Sequence, residues 1–363
     1  MNSIMPSALP ILEVQGRKIG GQHPTFFIAD IAANHDGDLE RSKDLIYMAA
    51  EAGADAAKFQ HFQAETIVSD HGFKTLNAQQ SHQDKWKDSV FNVYKAASVN
   101  LGWTATLKET CDKAGIPFFT TPYALDLVDY IDDYVPAYKI GSGDISWPEM
   151  IERIASKQKP YFLATGAATA DEVHRAVCVA LAVNPQLALM QCNTNYTASL
   201  ENFKYIHLNV LKTYRAMYPD IVLGLSDHTP GHATVLGAVA LGARMIEKHF
   251  TDDVNRVGPD HAFSMDPLTW REMVDRTREL ENALGNGVKK VEENESQTVI
   301  VQRRSIRLVS DMKEGEVVHE KDLEFLRPCP ADGLPPYRVD EVIGKKLRHY
   351  KASGEHLRLC DLE

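Results

Sequence analysis

Between Thr25 and Leu284 the chain repeats one pattern: eight short β-rich apolar runs, each followed by a helix-length amphipathic stretch. The runs are residues 25–32, 55–60, 117–121, 136–141, 160–165, 187–191, 221–225 and 245–250. Alternation of this kind specifies parallel strands joined by crossover helices, and eight units is the count of a (β/α)8 TIM barrel. Leu39 to Ala52 reads as a helix packed through Leu45, Ile46, Met48, Ala49 and Ala52, and Thr169-Ala-Asp-Glu172 opens another, to Val183, with the form of a capping box. Residues 11–19, ending at Gly20-Gly21, are a candidate hairpin closing the barrel floor. The segment from Ser69 to Asn100 is longer and more polar than an ordinary βα loop. It contains Gln79-Gln-Ser-His-Gln83, Trp86 and a short helix over Val90 to Ala97, the composition of a lid or binding loop.

A final barrel helix over Pro267 to Leu284 gives way to Gly285-Asn-Gly287, so the barrel domain is assigned to 1–288. The charged run at 289–296 reads as a linker. Residues 297–363 hold short β runs such as Ser305 to Val309 and turn-rich stretches, which predicts a small, mainly-β domain. That domain carries 12 basic and 12 acidic residues, so the net charge of −11 sits on residues 1–296. With 44% hydrophobic and 25% charged residues the chain is an ordinary globular protein. No apolar run approaches the ~20 residues of a membrane span. No lysine-arginine run interleaves with aromatics, so neither nucleic acid nor an anionic membrane is an expected partner. Five cysteines without a Cys-x-x-Cys pair argue against a disulfide framework and a structural zinc site. Met1 to Pro6 lacks the basic and apolar regions of a secretory signal, and the expected location is cytoplasmic.

Active sites of such barrels lie at the C-terminal ends of the strands. Here those ends carry Asp30 and Asn34-His-Asp36, Lys58 and Gln60, Thr120-Thr121, Lys139 with Gly141-Ser-Gly-Asp144, Thr165, Gln191, Asn193 and Tyr196, Ser226-Asp-His228 and Glu247-Lys-His249. His228 and His249 close adjacent strands, where two imidazoles can share one divalent cation and leave its remaining positions open. Such a site suits Lewis-acid polarisation of a carbonyl by an exchangeable ion (Mn2+, Mg2+, Co2+ or Fe2+) more than a closed zinc site. Lys58 and Lys139 stand in otherwise apolar strands, where a buried ammonium needs an anion. With Ser142, Ser226 and glycine-rich turns they form a candidate phosphate or carboxylate cradle. Asp144 and Asp30 have two readings, proton transfer, or a helix N-cap and a hydrogen-bond acceptor respectively. Asp260 sits in a turn after the last strand, where it could bind hydroxyls or serve the turn alone.

These residues carry a resemblance. Asn34-His-Asp-Gly37, Ala57-Lys-Phe-Gln60, Thr120-Thr-Pro122, Pro136-Ala-Tyr-Lys-Ile-Gly-Ser-Gly143, Gly224-Leu-Ser-Asp-His-Thr229, Glu247-Lys-His-Phe-Thr251 and Gly258-Pro-Asp260 resemble the sialic acid synthase family. Arg303-Arg-Ser305, Lys313-Glu-Gly315 and Arg327-Pro328 resemble its C-terminal antifreeze-like (SAF) domain. The resemblance implies condensation of phosphoenolpyruvate with a sugar aldehyde, giving a 2-keto-3-deoxy acid and phosphate. It implies a metal on His228 and His249, with phosphoenolpyruvate on Lys58, Lys139, Ser142, Thr165, Asn193 and Ser226. Sugar contacts fall to Gln60, Thr121, Tyr196, Asp260 and Arg327, the last from the partner in a domain-swapped homodimer. Asp144, Asp30 and Glu247 are the implied catalytic carboxylates.

Several positions depart from the family pattern. Asp144 and Asp30 stand where glutamates are usual, Ala164 replaces a serine, and Cys192-Asn-Thr-Asn-Tyr196 departs from Cys-Thr-x-x-Tyr-Pro. The departures predict an acceptor other than plain N-acetylmannosamine, such as a modified diamino sugar or an unacetylated aldose. Two other readings are a condensation that uses a phosphorylated aldose, which requires a further basic pocket, and a non-catalytic sugar-binding barrel, which predicts loss of the histidine pair or the lysines.

Overall fold

The computed structural model describes residues 9–76, 83 and 86–363; Met1 to Pro6 and the polar run from Gln79 to His82 lie outside the described residues. The chain divides into two compact units, one ending at Gly285 and one beginning at Asn286.

In the first unit a hairpin, β1 (Ile11–Val14) and β2 (Arg17–Gly20), precedes eight parallel strands. These are β3 (Phe26–Asp30), β4 (Ala56–His61), β5 (Phe118–Pro122), β6 (Tyr138–Ile140), β7 (Tyr161–Ala164), β8 (Leu187–Cys192), β9 (Val222–Asp227) and β10 (Met245–His249). The hydrogen-bonded order is β5-β4-β3-β10-β9-β8-β7-β6. The end members β5 and β6 lie beside each other, which closes the sheet into a (β/α)8 barrel. The ends of each strand fall within two residues of those of its sequence-predicted run, because β-branched and aromatic residues are concentrated in those short segments. The helices Leu39–Glu51, Val90–Ala97, Ala170–Val183 and Pro267–Leu284 follow the apolar spacing and caps read from the sequence. Thr169 and Glu172 close the capping box.

The pleat sets the barrel interior in two storeys. Side chains two residues apart on a strand share a face, so the inward residues alternate level by level. The lower level is apolar: Ile28, Ala56, Phe119, Ala137 and Met245 join Phe162, Val222 and the hairpin residues Leu12, Val14 and Ile19 in one cluster. One pleat higher, the same strands present Asp30, Thr121, Lys58, Lys139 and Glu247, all buried. The hairpin therefore plugs the floor, and polar groups gather at the opposite end.

On the outward face the register sets Asp227 on β9 against Lys248 on β10. Lys248 Nζ donates to Asp227 Oδ2 at 2.5 Å and to the Thr229 carbonyl at 2.5 Å, and the Thr229 and Thr234 hydroxyls each donate to the same carboxylate oxygen at 2.8 Å. Both side chains are 1% exposed. This pair lies one residue before each of His228 and His249, and it ties the two strand ends together from behind.

The second unit contains helix Ser296–Gln302, then antiparallel strands β11 (Ser305–Leu308) and β12 (Leu323–Leu326), with turns packed on Ile306, Leu308, Val318, Val342, Leu347 and Leu357. The segment read as a linker ends in a turn over Glu293–Glu295, and Ser296 already opens the helix. The β-branched run Thr298-Val-Ile-Val301 does not announce that helix. Among the described residues no helix is long and apolar enough to cross a membrane.

The Asp227–Lys248 pair generates a stability prediction. Lys248→Met leaves a buried carboxylate without its cation and should cost about 3–5 kcal/mol, measured by urea unfolding. Adding Asp227→Asn should recover most of that loss.

Candidate active site

The upper storey of the barrel is a connected set of charges. Lys58 Nζ donates to Asp30 Oδ2 at 2.6 Å and to Thr121 Oγ1 at 3.4 Å, and lies 3.8 Å from Glu247 Oε1. Burial pulls the Lys58 ammonium down, but the Asp30 and Glu247 carboxylates outweigh it and hold its pKa above the usual lysine value. The Gln60 amide donates to the same Asp30 oxygen at 3.0 Å. Lys139 Nζ stands 3.5 Å from Glu247 Oε1, which also accepts from the Ser226 hydroxyl at 3.3 Å. Glu247 Oε2 is buried without a hydrogen-bond partner. Two ammoniums thus face two carboxylates.

His228 and His249 meet above this set, with ring centroids 5.4 Å apart. The His228 Nδ1–H donates to the Asn193 carbonyl at 2.9 Å, which directs its Nε2 lone pair away from the backbone. His249 Nδ1 is buried without a hydrogen-bond partner, 3.8 Å from Asp260 Oδ2. Burial lowers both imidazole pKa values, that of His249 well below the ordinary value with further help from His228 and Lys58. Both rings are therefore neutral at pH 7, the form that ligates a cation. Tyr196 packs edge-on to His228 at 4.4 Å and Phe263 edge-on to His249 at 4.8 Å. Among the described residues no three His, Cys, Asp or Glu side chains form a ready metal cage. The donor set is an open two-nitrogen site, with the unpartnered His249 Nδ1 as the buried atom that a cation would satisfy.

Beside the histidines lies a cavity of about 390 Å3 whose lining includes Gln60, Ser142, Asp144, Tyr196, His249 and Asp260. Asp144 follows the Gly141-Ser-Gly143 turn, and its Oδ2 is buried without a hydrogen-bond partner. Burial raises its carboxyl to about 6 against the pull of Lys139. Asp260 is raised to about 7 by burial, opposed by the Ala33 N–H that donates to it at 3.1 Å. Ser142 Oγ accepts the Gly166 N–H at 3.0 Å. A side chain at Gly166 would place its Cβ 2.9 Å from that oxygen and 2.5 Å from Thr194 Cγ2, so the turn needs glycine.

The remaining sequence-derived candidates stand differently. The Thr165 hydroxyl donates to the Met190 carbonyl at 3.0 Å and accepts from Tyr214 at 3.1 Å, so it is committed to the barrel wall. Asn193 reaches the site through its carbonyl on His228, while its amide donates to the Tyr205 carbonyl at 3.3 Å. Arg327 is an exposed residue of the second unit, directly after β12. Asn34 donates to the Phe250 carbonyl and the Ser264 hydroxyl, and joins two loops. Asp227 and Lys248, read as members of the ring, occupy its outer face by strand alternation. Sequence reading missed Tyr123, which also lines the cavity. The aromatic directly after Thr121-Pro122 was its only signal.

Fold and site define a barrel enzyme with a buried charge ring and an open imidazole pair at the strand ends. The NeuB family profile matches residues 45–289 and the SAF domain profile residues 303–363, and the chain belongs to the NeuB family. Over 94% of its length it is 33% identical to 97% of the N,N'-diacetyllegionaminic acid synthase of Legionella pneumophila. It is 30% identical to the N-acetylneuraminate-9-phosphate synthase of Homo sapiens, with 92% of this chain and 91% of that one covered. A crystal structure of the N-acetylneuraminic acid synthetase of Leptospira borgpetersenii serovar Hardjo-bovis, in complex with citrate, superposes with a TM-score of 0.69 at 28% identity, over 80% of this chain and 95% of that one. The chain is an enzyme, a transferase of the sialic acid synthase type.

Proposed function

We propose that this enzyme condenses phosphoenolpyruvate with an amino-sugar or related aldose, in a metal-dependent reaction, to give a nonulosonic (2-keto-3-deoxy) acid and phosphate. The observation that carries the reading is the convergence of Lys58, Lys139, Asp144, His228 and His249 at the strand ends of a NeuB barrel. Lys58 and Lys139, with the Ser142 and Ser226 hydroxyls, supply fixed donors for a phosphate and a carboxylate. Asp30 and Glu247 already balance the two lysines, so a multiply charged anion in this buried site calls for added positive charge. His228 and His249 would hold a divalent cation, Mn2+, Mg2+ or Co2+. When bound it polarises the aldehyde oxygen as a Lewis acid.

The chain's own residues then direct the protons. C3 of the enol ester attacks the aldehyde carbon, and water adds at C2. The Asp144 carboxylate takes a proton from that water and passes it to the new alkoxide oxygen. Collapse at C2 expels phosphate and leaves the ketone, while the second proton leaves with phosphate or solvent. Asp30 keeps Lys58 and Gln60 in place, and Glu247 does the same for Lys139 and Ser226. Gln60, Tyr196 and Asp260 border the cavity and are the proposed sugar contacts. Arg327 is proposed to complete the site of the other protomer in a domain-swapped homodimer.

Phosphate release from phosphoenolpyruvate, measured with Mn2+ against N-acetylmannosamine, mannose, diacetamido hexoses and arabinose 5-phosphate, tests the reading. Release with an amino sugar that stops on EDTA addition is expected; absence of release with every acceptor would sink it. The Asp144 carboxylate must be ionised to accept a proton, so turnover should rise with pH through about 6. Asp144→Asn should lose that limb and about 10²–10⁴ in kcat, read from pH–rate profiles. For Arg327, Arg327→Ala mixed with His249→Ala should regain activity through one intact composite site; a mixture as inactive as its parents would remove the trans arginine.

A further inference from the structure

The cavity beside the histidines has two chemistries. Its floor is polar, built from Gln60, Ser142, Asp144, His249 and Asp260. The rest of the lining is mostly apolar: Phe62, Ile67, Trp86, Val93, Tyr94 and Ala97, with Gln83 as a polar member among them. Three of these come from one helix, Val90–Ala97, capped by the Ser89 hydroxyl, which accepts the Asn92 N–H at 3.2 Å. Val90, Val93, Tyr94 and Ala97 lie at i, i+3, i+4 and i+7, one face of that helix. Val90 is buried, whereas Val93, Tyr94 and Ala97 stay half-exposed where they border the cavity. The wall is rigidified by ring contacts, Tyr94 to Phe62 at 5.5 Å, Phe62 to Tyr123 at 6.1 Å and Trp86 to Tyr94 at 6.3 Å. Among the described residues lining the cavity there is no lysine or arginine, and two are aspartates.

A sugar hydroxyl set against those apolar side chains would be buried without a partner, which disfavours it. An alkyl group there is stabilised by leaving water. A charged substituent would be desolvated between aspartates and aromatic rings. We infer that the Val90–Ala97 helix face is the specificity-determining surface for the acceptor: it receives the alkyl end of an uncharged acylamino substituent, and Val93 and Ala97 set the length of acyl group admitted. This rests on the condensation proposed above and adds the residues that select the acceptor.

The test is the ratio of kcat/KM for an acylated sugar to that for its unacylated parent, with N-acetylmannosamine against mannose and a 2,4-diacetamido hexose against the diamino hexose. The wild-type enzyme should favour at least one acylated member by about tenfold or more. Ala97→Leu fills the space facing the cavity, and Val93→Thr keeps the shape but adds a hydroxyl. Each should reduce that ratio by about tenfold, while phosphoenolpyruvate affinity measured by calorimetry is retained. If Ala97→Leu loses phosphoenolpyruvate binding through misfolding, the isosteric Val93→Thr decides alone. A wild-type ratio near one, or a preference unmoved by Val93→Thr, overturns the inference and leaves the condensation standing. No phosphate release with any acceptor overturns the condensation and this inference together.

Discussion

Charge buried at the ends of parallel strands is the constraint on which the site depends. An ammonium or carboxylate out of water must be paired or it neutralises itself by losing or gaining a proton. The barrel holds Lys58, Lys139, Asp30 and Glu247 at one level, and each charge is within 4 Å of an opposite one. A core of this kind is costly by comparison with an apolar one, and the level directly below shows that the same strands can supply an apolar layer. The polar level therefore sits where a ligand's charge can enter the balance. It is complete enough to fold, yet the unpartnered oxygens of Glu247 and Asp144 and the unpartnered nitrogen of His249 leave acceptors for a further group.

The same alternation that builds this level builds its support. Ser226 and Glu247 face inward, so the next residues, Asp227 and Lys248, face outward, and the next, His228 and His249, return to the site. A strand pair thus carries an inward hydrogen bond, an outward salt bridge and an inward imidazole pair in three successive residues. The outward bridge, saturated by Thr229 and Thr234, fixes the positions from which the imidazoles project.

This explains which parts of the molecule were readable from sequence. The strands were legible because eight β-rich runs and their helices repeat with little interruption, and His228, His249, Lys58 and Lys139 stood out as polar residues at the ends of apolar runs. Pairing was not legible. Nothing local distinguishes Lys248, which bonds Asp227 across strands, from Lys58, which bonds Asp30 across strands but on the inner face; only the phase of each strand separates them. Thr165 and Asn193 were assigned by family position, yet one hydroxyl is held by Tyr214 and one amide by the Tyr205 carbonyl, partners 49 and 12 residues away. Long-range commitments of that kind are set by tertiary packing, which composition and spacing do not encode.

The two aspartates that stand where the family pattern has glutamates differ in their partners. At position 30 the shorter carboxylate is consumed: one oxygen holds Lys58 and Gln60, the other accepts the Ala32 N–H at 3.1 Å. That group is a fixed counter-charge to Lys58. At position 144 the carboxyl has no such ties on Oδ2, and burial raises it to about 6 despite Lys139 nearby. A group poised near neutrality can both take and return a proton at low cost in either direction. Asp144 also lines the cavity that holds the proposed sugar contacts Gln60, Tyr196 and Asp260. The substitution therefore bears on the acceptor side of the cavity, while the lysine cradle and the imidazole pair stay as the family pattern has them.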